Sequence, residues 1–173
     1  DMEFRDMALA QSSDGGEHWQ RLSTAGAFHW KFDGCPHNGG GLTQANGGRL
    51  HAVVWTGVEN RAGLYHVFSE TQGREWSEPQ AIAPGTGAFH ADIAALDERH
   101  VLMVWDAMGA DGTTIWMADS ADDGRSWSSP VMLSTLGRQA SHPRVLATQS
   151  GWVVMWSEKQ TDGSKRWLSA VVE

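Results

Sequence analysis

Short apolar runs alternate with polar turns along the whole chain, and three of these runs end in a tryptophan. The runs at 50–55, 101–105 and 152–156 place their tryptophans 50 and 51 residues apart. Helical periodicity is nowhere sustained, and the Asn-Gly, Asp-Gly and Gly-Gly pairs between runs are hairpin signals. The pattern therefore predicts short antiparallel strands in a repeating unit of about 51 residues.

Each unit is predicted to hold four strands. First strands are expected at 39–45, 91–96 and 144–148, and second strands end at the run tryptophans. Third strands are expected at 4–10, 64–68, 114–119 and 167–172. A fourth strand is expected after the turn that follows each of the first three of these. Four antiparallel strands in such a unit are typical of a β-propeller blade. The sequence thus predicts an all-β fold, a partial β-propeller of about three four-stranded blades. We expect one domain, in which 1–33 ends one blade, 34–85 and 86–136 form two more, and 137–173 forms an incomplete last blade.

A turn motif, Ser-x-Asp/Thr-x-Gly-x-x-Trp, occurs three times along the chain. Its short polar side chains can bond turn amides, its glycine can take a positive φ, and its tryptophan can fill the space beneath the next strand. We therefore interpret the motif as structural rather than catalytic. Its residues are Ser12, Asp14, Gly16 and Trp19, then Ser69, Thr71, Gly73 and Trp76, then Ser120, Asp122, Gly124 and Trp127.

These turns resemble the Asp-boxes of the sialidase-like, BNR-repeat β-propellers. More narrowly, Arg5-Asp6 before the first box, the segment 34–40, and His142-Pro143-Arg144 resemble the C-terminal half of bacterial exo-α-sialidase-like proteins of unknown function. The resemblance covers nearly all of the chain and implies a secreted or periplasmic protein. It is specific for the fold and weak for function, because Asp-boxes occur in glycosidases, sorting receptors and non-enzymes alike.

The resemblance also implies what a sialidase would need: an arginine triad, a tyrosine nucleophile with a glutamate base, and an aspartate acid/base. The only tyrosine, Tyr65, falls in a predicted third strand away from the channel, and the family's Phe-Arg-Ile-Pro motif is absent. Arg5, Arg138 and Arg144 can bind an anion or pair with carboxylates. We therefore expect a non-catalytic binding or interaction module with no catalytic residue and a ligand site at the channel mouth. The alternative is a glycoside hydrolase completed by a second chain or by missing blades.

Histidines recur at the predicted channel mouth. His37, His90 and His142 are spaced by 53 and 52 residues, each just before a first strand. Equivalent residues of successive blades converge on the central axis. Three imidazoles there can bind a divalent transition metal, hydrogen-bond a carbohydrate or small anion, or satisfy backbone groups of a wet channel, and all three remain open. Further candidate ligand residues are Asn38, Asp92, Arg144 and Trp30, of which Trp30 is equally expected to be buried. The other histidines, His18, His29, His51, His66 and His100, are predicted to be surface or strand residues.

Charge and cysteine content limit the partners. The formal net charge of −8 disfavours nucleic acid and anionic membrane surfaces. We expect no signal peptide within these residues, as in a mature or truncated secreted chain, and no apolar run is long enough to cross a bilayer. The single cysteine, Cys35, is expected to be a small buried side chain, with thiolate ligation or intermolecular pairing as alternatives. Open blade edges favour a homodimer that closes one ring.

Overall fold

The protein folds as antiparallel β-sheet throughout the part that can be described. The computed structural model describes residues 4–173, apart from the side chain of Pro84, and these residues form thirteen strands. Among them, no helix has the length and apolar character needed to cross a membrane. The all-β prediction is confirmed.

The strands form four sheets in chain order. A two-stranded sheet pairs β1 (Met7–Gln11) with β2 (Gln20–Ala25). Two four-stranded sheets follow, β3 (Gly41–Gln44), β4 (Leu50–Thr56), β5 (Gly63–Ser69) and β6 (Gln80–Pro84), then β7 (Ala88–Ala95), β8 (Val101–Gly109), β9 (Gly112–Ser120) and β10 (Val131–Met132). A three-stranded sheet of β11 (Gln139–Thr148), β12 (Gly151–Lys159) and β13 (Lys165–Val172) completes the described chain. Each sheet runs in sequence order, as the strands of a propeller blade do.

The hydrophobic core lies between neighbouring sheets. Along β8, Val101 and Met103 pack with Val53 and Leu64 of the second sheet. The intervening residues of β8, Leu102 and Val104, pack on the other side with Val145, Val154 and Trp156 of the last sheet. Side chains of a strand alternate between its two faces, so a strand that is covered on both faces is apolar at every position. This is why the second-strand runs are continuous rather than alternating.

The repeated turn motif is held by one hydrogen-bond pattern. In all three copies the backbone N–H of the glycine donates to the hydroxyl of the first serine, over 2.9 Å each time. In the first and third copies, Asp14 and Asp122 accept from that serine and from the amide four residues beyond the aspartate. In the second copy the hydroxyl of Thr71 accepts the amide N–H of Glu75 over 2.8 Å. Threonine therefore replaces the aspartate without loss of the turn.

The tryptophan of the motif packs against the preceding sheet. The Trp76 indole donates to Ser23 of the first sheet over 2.9 Å, and the Trp127 ring lies edge-on against His66 of the second, with ring centres 4.9 Å apart. Trp19 was expected to fill a similar space, but this expectation is wrong, because its side chain is 66% exposed. The described residues place no sheet before β1 for it to pack on.

The first strands of three sheets lie side by side and define two ends of the molecule. The amide of Ala95 on β7 donates to the hydroxyl of Thr43 on β3, and the amide of Val145 on β11 donates to the carboxylate of Asp92 on β7. The histidines His90 and His142 lie near the starts of β7 and β11. The hairpin after β3 reaches the Asp-box turns at the opposite end, where Gly48 and Asp123 line one cavity. We call these ends the histidine end and the Asp-box end.

Candidate functional site

Two histidines occupy equivalent β-bulges at the histidine end. The pairing of β7 with β8 shifts between Phe89 and Asp92, and the pairing of β11 with β12 shifts between Ser141 and Arg144. His90 and His142 lie inside these bulges with φ angles of 44° and 57°. Positive φ is unfavourable for a residue with a Cβ atom, and a bulge redirects the side chain it carries. The backbone therefore holds both rings in place at a conformational cost.

The third predicted histidine reaches the same cavity from a different position. Gly41 pairs with Val53 in the second sheet, as Asp92 pairs with Val104 in the third. The residue equivalent to His90 is therefore Gly39, two residues before Gly41, and not His37. His37 is exposed and lies before β3 begins.

All three histidines line one cavity of about 450 Å³ at the histidine end. The rings of His90 and His142 stack, with centres 3.9 Å apart and an interplanar angle of 22°. Arg144 is exposed and directly follows the bulge that contains His142. The lining residues are His37, Gly39, Gly40, His90, Ala91, His142 and Arg144.

A buried carboxylate beneath this cavity connects the two bulges. Asp106 on β8 is 1% exposed, and its Oδ2 accepts a hydrogen bond from Nδ1 of His90 over 2.9 Å. The same oxygen accepts the backbone N–H of His142 over 2.8 Å. Since a carboxylate only accepts, Nδ1 of His90 carries the proton, which leaves the lone pair on Nε2. Asp106 thus fixes the tautomer of one histidine and the backbone of the other.

Sequence reasoning missed Asp106 because its position does not repeat. It follows the run tryptophan Trp105, and the residues that follow the other two run tryptophans are Thr56 and Ser157. A buried carboxylate in a second strand is rare unless it is paired, so its place in an apolar run was the available signal.

The electrostatic surroundings favour a neutral His142. Partial burial lowers its pKa, and the neighbouring His90 lowers it further. Arg144 and Lys165 also lower the pKa of His142, whereas the Asp106 carboxylate opposes them. A neutral imidazole offers a lone pair to a metal ion or accepts a hydrogen bond.

The other predicted ligand residues, Asp92, Trp30 and Asn38, are not among those that line the cavity. Asp92 already accepts two backbone amides, from Ile93 over 3.0 Å and from Val145 over 3.1 Å. Trp30 is buried, the second of its two alternatives, and stacks on Phe32. Asn38 is half-buried next to His37. A ligand-binding role for Asp92, Trp30 and Asn38 stays a prediction.

Cys35 is exposed, so the expectation of a buried side chain is wrong. It lies in the irregular segment between β2 and β3, where residues 31–35 are all exposed. A residue before β1 holds this segment: the Arg5 guanidinium donates to the carbonyls of Phe32 and Gly34, each over 3.1 Å. The segment therefore passes over the surface and buries no apolar side chain at position 35.

A second histidine pair lies buried at the Asp-box end. His51 on β4 and His66 on β5 are 0% and 1% exposed, with Nδ1 of His51 3.2 Å from Nε2 of His66. Nε2 of His51 lies 3.0 Å from the carboxylate of Asp123. Arg49 contacts that carboxylate as well, and also pairs with Glu70. These groups lie beside a cavity of about 720 Å³, larger than the one at the histidine end.

The larger cavity is the weaker candidate for a ligand site. Arg49 is only 10% exposed, and its charge is already neutralised by Asp123 and Glu70. His51 and His66 were predicted only as surface or strand residues; they are strand residues within the packed sheets. The histidine end, by contrast, presents exposed His37, His142 and Arg144 to its cavity.

Tyr65 has a structural role. It lies on β5, is 8% exposed, and donates its hydroxyl hydrogen to the carbonyl of Arg61 over 2.9 Å. Its ring packs on Phe28, with centres 4.8 Å apart. No tyrosine in the described chain therefore faces either cavity.

Comparison with known families agrees with this architecture. The model of the BNR repeat-like domain matches residues 2–172. The chain belongs to this family. A search of curated proteins found no match.

Several solved structures share the fold of this BNR repeat-like chain. A protein of unknown function from Dyadobacter fermentans superposes with a TM-score of 0.66 at 12% identity, over 94% of this chain and 44% of its own. The NanB sialidase of Streptococcus pneumoniae gives a TM-score of 0.60 at 19% identity, over 96% and 26%. The GH93 α-L-arabinofuranosidase of Fusarium graminearum gives 0.62 at 11% identity, over 94% and 52%. These likenesses confirm the partial sialidase-like β-propeller, and the chain spans about half or less of each neighbour's length.

Proposed function

We propose that this BNR repeat-like chain is a non-catalytic binding module whose ligand, an anionic carbohydrate or another small carboxylate, enters the cavity at the histidine end. The observation that carries the proposal is the lining of that cavity. Arg144 and two strained histidines from successive blades face one space of about 450 Å³. The Arg144 guanidinium is a charged donor that suits a carboxylate, and charge-assisted bonds are the stronger ones. Nε2 of His90 carries a lone pair and can accept a hydrogen bond from a sugar hydroxyl.

The geometry supports binding better than hydrolysis. A glycosidase of the common kinds needs two carboxyl groups on either side of the scissile bond, or an activated tyrosine in place of one. The described residues that line the cavity include no carboxylate. Asp92 and Asp106 adjoin the lining residues Ala91 and His90, and both already accept the hydrogen bonds described above. Tyr65 is buried elsewhere.

Glycoside hydrolysis is the alternative function, and the fold is what favours it. Structural neighbours include a sialidase and an arabinofuranosidase. In that case a second chain or further blades would supply the missing acid and nucleophile. Release of fluorophore from sialosides or arabinofuranosides by the protein, at a concentration that favours a dimer, would establish hydrolysis by this chain, because a binding module releases none.

Calorimetric titration with N-acetylneuraminate, glucuronate and arabinobiose tests the binding proposal. We expect the two carboxylated sugars to bind, and we expect Arg144→Ala to lower their affinity about 10- to 100-fold, which is the usual contribution of a hydrogen bond to a charged group. Arg125→Ala is the matched control, since Arg125 is 60% exposed at the Asp-box end. Equal affinity of the Arg144→Ala and Arg125→Ala proteins, or no binding by the wild type, would overturn the proposal.

A further inference from the structure

We propose that His90, His142 and Asp106 form a binding site for a divalent transition metal ion. The site lies at the cavity of the proposed function, so the inference rests on that location but not on the sugar ligand. Each of the three side chains offers one ligand atom, and these atoms lie within 4.8 Å of one another. An ion bound to the two imidazoles therefore lies close to the Asp106 carboxylate.

The donor set selects the class of metal. Two imidazoles and one carboxylate suit zinc, copper, nickel or iron, whereas calcium and magnesium take oxygen ligands almost alone. Two imidazole ligands leave coordination positions open to water or to an incoming ligand. His142 is exposed and His90 is 27% exposed on its side chain, so an ion from solvent can reach the rings.

Asp106 gives the site its charge and its alignment. Its hydrogen bond to Nδ1 of His90 directs the opposite nitrogen, Nε2, away from the carboxylate, an arrangement that raises the basicity of a ligating imidazole. Because Asp106 also holds the backbone of His142, one carboxylate positions both rings. Asp106 acts on the ion through His90, and its negative charge stabilises a bound cation without occupying a coordination position.

The backbone at the two bulges points the same way. His90 and His142 both keep φ angles near +50°, where glycine would be unstrained. The equivalent residue of the second sheet, Gly39, precedes β3 and has no positive φ, so the strain is confined to the two histidine positions. Strain held at two equivalent positions is the kind that accompanies a functional site.

Neighbouring charges shape what the ion could do. Arg144 and Lys165 are close enough to His142 to lower its pKa, so their positive charges would also weaken the binding of a cation that has no anionic ligand. An anionic ligand in the open coordination positions would be attracted by the ion and by Arg144 together. The metal would therefore strengthen carboxylate binding at the same cavity.

The test uses the full chain and the metal alone. Zinc and copper are titrated by calorimetry in a buffer without phosphate, and the absorption spectrum of the cobalt-loaded protein reports the ligand set. We expect one ion per chain and at least tenfold weaker binding by His90→Gly and by Asp106→Asn. Glycine is chosen because the positive φ at position 90 favours it, so this variant keeps its fold. Thermal unfolding verifies the fold of each variant.

Two controls decide which residues hold the ion. His18→Ala alters the exposed group of Asp14, Glu17 and His18, the other described cluster with metal-ligand spacing, and should change nothing. Arg125→Ala should also bind normally, because Arg125 is exposed at the Asp-box end, away from the two bulges. Loss of binding in either control, or undiminished binding by His90→Gly, would overturn the site. If the carboxylated sugars bind the metal-free protein and no metal binds, this inference fails while the proposed function stands.

Discussion

Two histidines buried side by side should make the fold sensitive to mild acid. His51 and His66 are almost fully enclosed at the Asp-box end. Burial lowers the pKa of His66 from 6.5 to about 3, with further lowering by the neighbouring His51 and by Arg49. The pKa of His51 is also lowered, chiefly by burial, although the Asp123 carboxylate opposes the shift. Both rings are therefore neutral in the folded protein at pH 7.

The sign and the size of the effect follow from proton linkage. Below about pH 6.5 the unfolded chain binds a proton at position 66, and the folded chain does not do so until about pH 3. Stability is therefore complete above pH 6.5 and falls as the pH is lowered. One such group changes the free energy of unfolding by about 1.4 kcal/mol per pH unit, so about 2 kcal/mol is lost between pH 6.5 and pH 4.5. This is a large fraction of the roughly 5–15 kcal/mol that stabilises a typical domain.

The window is chosen to separate histidines from carboxylates. Hydrogen bonds in the turns lower the pKa of Asp14, Asp97 and Asp122 from 3.8 to about 2. The stability that these aspartates provide is present above pH 3.8 and is lost only below it. Unfolding above pH 4.5 therefore reports the histidines whose pKa is lowered, which are His51, His66 and His142.

Urea unfolding followed by tryptophan fluorescence at pH 7.0, 6.0, 5.0 and 4.5 measures this slope. The decisive variant is His66→Met, because Met117 is the equivalent residue of the next sheet. It should be less stable at pH 7, since His51 loses its ring partner, but its stability should fall less steeply with acid. His37→Gln is the control, because solvent already surrounds that side chain. Identical pH slopes for the wild type and His66→Met would refute the reasoning.

Three further predictions concern the scaffold. In urea unfolding, Trp127→Ala should destabilise the fold by about 3 kcal/mol, because it removes the packing of a partly buried ring. Asp122→Ala should destabilise it by on the order of 1 kcal/mol, because it removes hydrogen bonds of the turn. Gly124→Ala should lower the melting temperature, since its Cβ would lie 2.6 Å from the His66 ring at a φ of +74°. Gly48→Ala is the control and should lower it less, because its Cβ would meet only the strain of a positive φ and no neighbouring atom. We expect a homodimer through the exposed Trp167 and Val171 of β13, so light scattering should give twice 18.9 kDa; a monomeric mass at micromolar concentration with the fold intact would contradict this.

The sequence predicted the strands well because two independent signals agree. Each second-strand run is apolar at nearly every position, and the run returns at a fixed spacing with a tryptophan at its end. The observed β4, β8 and β12 begin within one residue of the predicted runs and extend one to four residues beyond them. The extension of β8 through Met108 was missed because Asp106 breaks the apolar run. Local composition placed the end of the predicted strand at Trp105, whereas the backbone hydrogen bonds between β8 and β9 continue the strand to Gly109.

The site was only partly predictable for a related reason. Repetition led to His90 and His142, because residues that recur at the unit spacing come together around the axis. The same reasoning missed Asp106 and Asp123. Each has a partner in another sheet, and each position carries a different residue in the other units. It also placed His37 in the set through a spacing of 53 residues, whereas the strand register assigns that position to Gly39.

The two histidine pairs show how solvent access separates a structural role from a binding role. Both pairs consist of two rings in contact with a nearby aspartate. At the Asp-box end, both rings are enclosed, neither histidine has a positive φ, and the nitrogens that face each other are hydrogen-bonded. Replacement there should cost stability and nothing else. At the histidine end, both backbones are strained and Nε2 of His90 has no hydrogen-bond partner among the described residues, so the same ring chemistry is left open to a ligand. A binding site and a buried polar cluster can therefore be distinguished here by which nitrogens remain uncommitted.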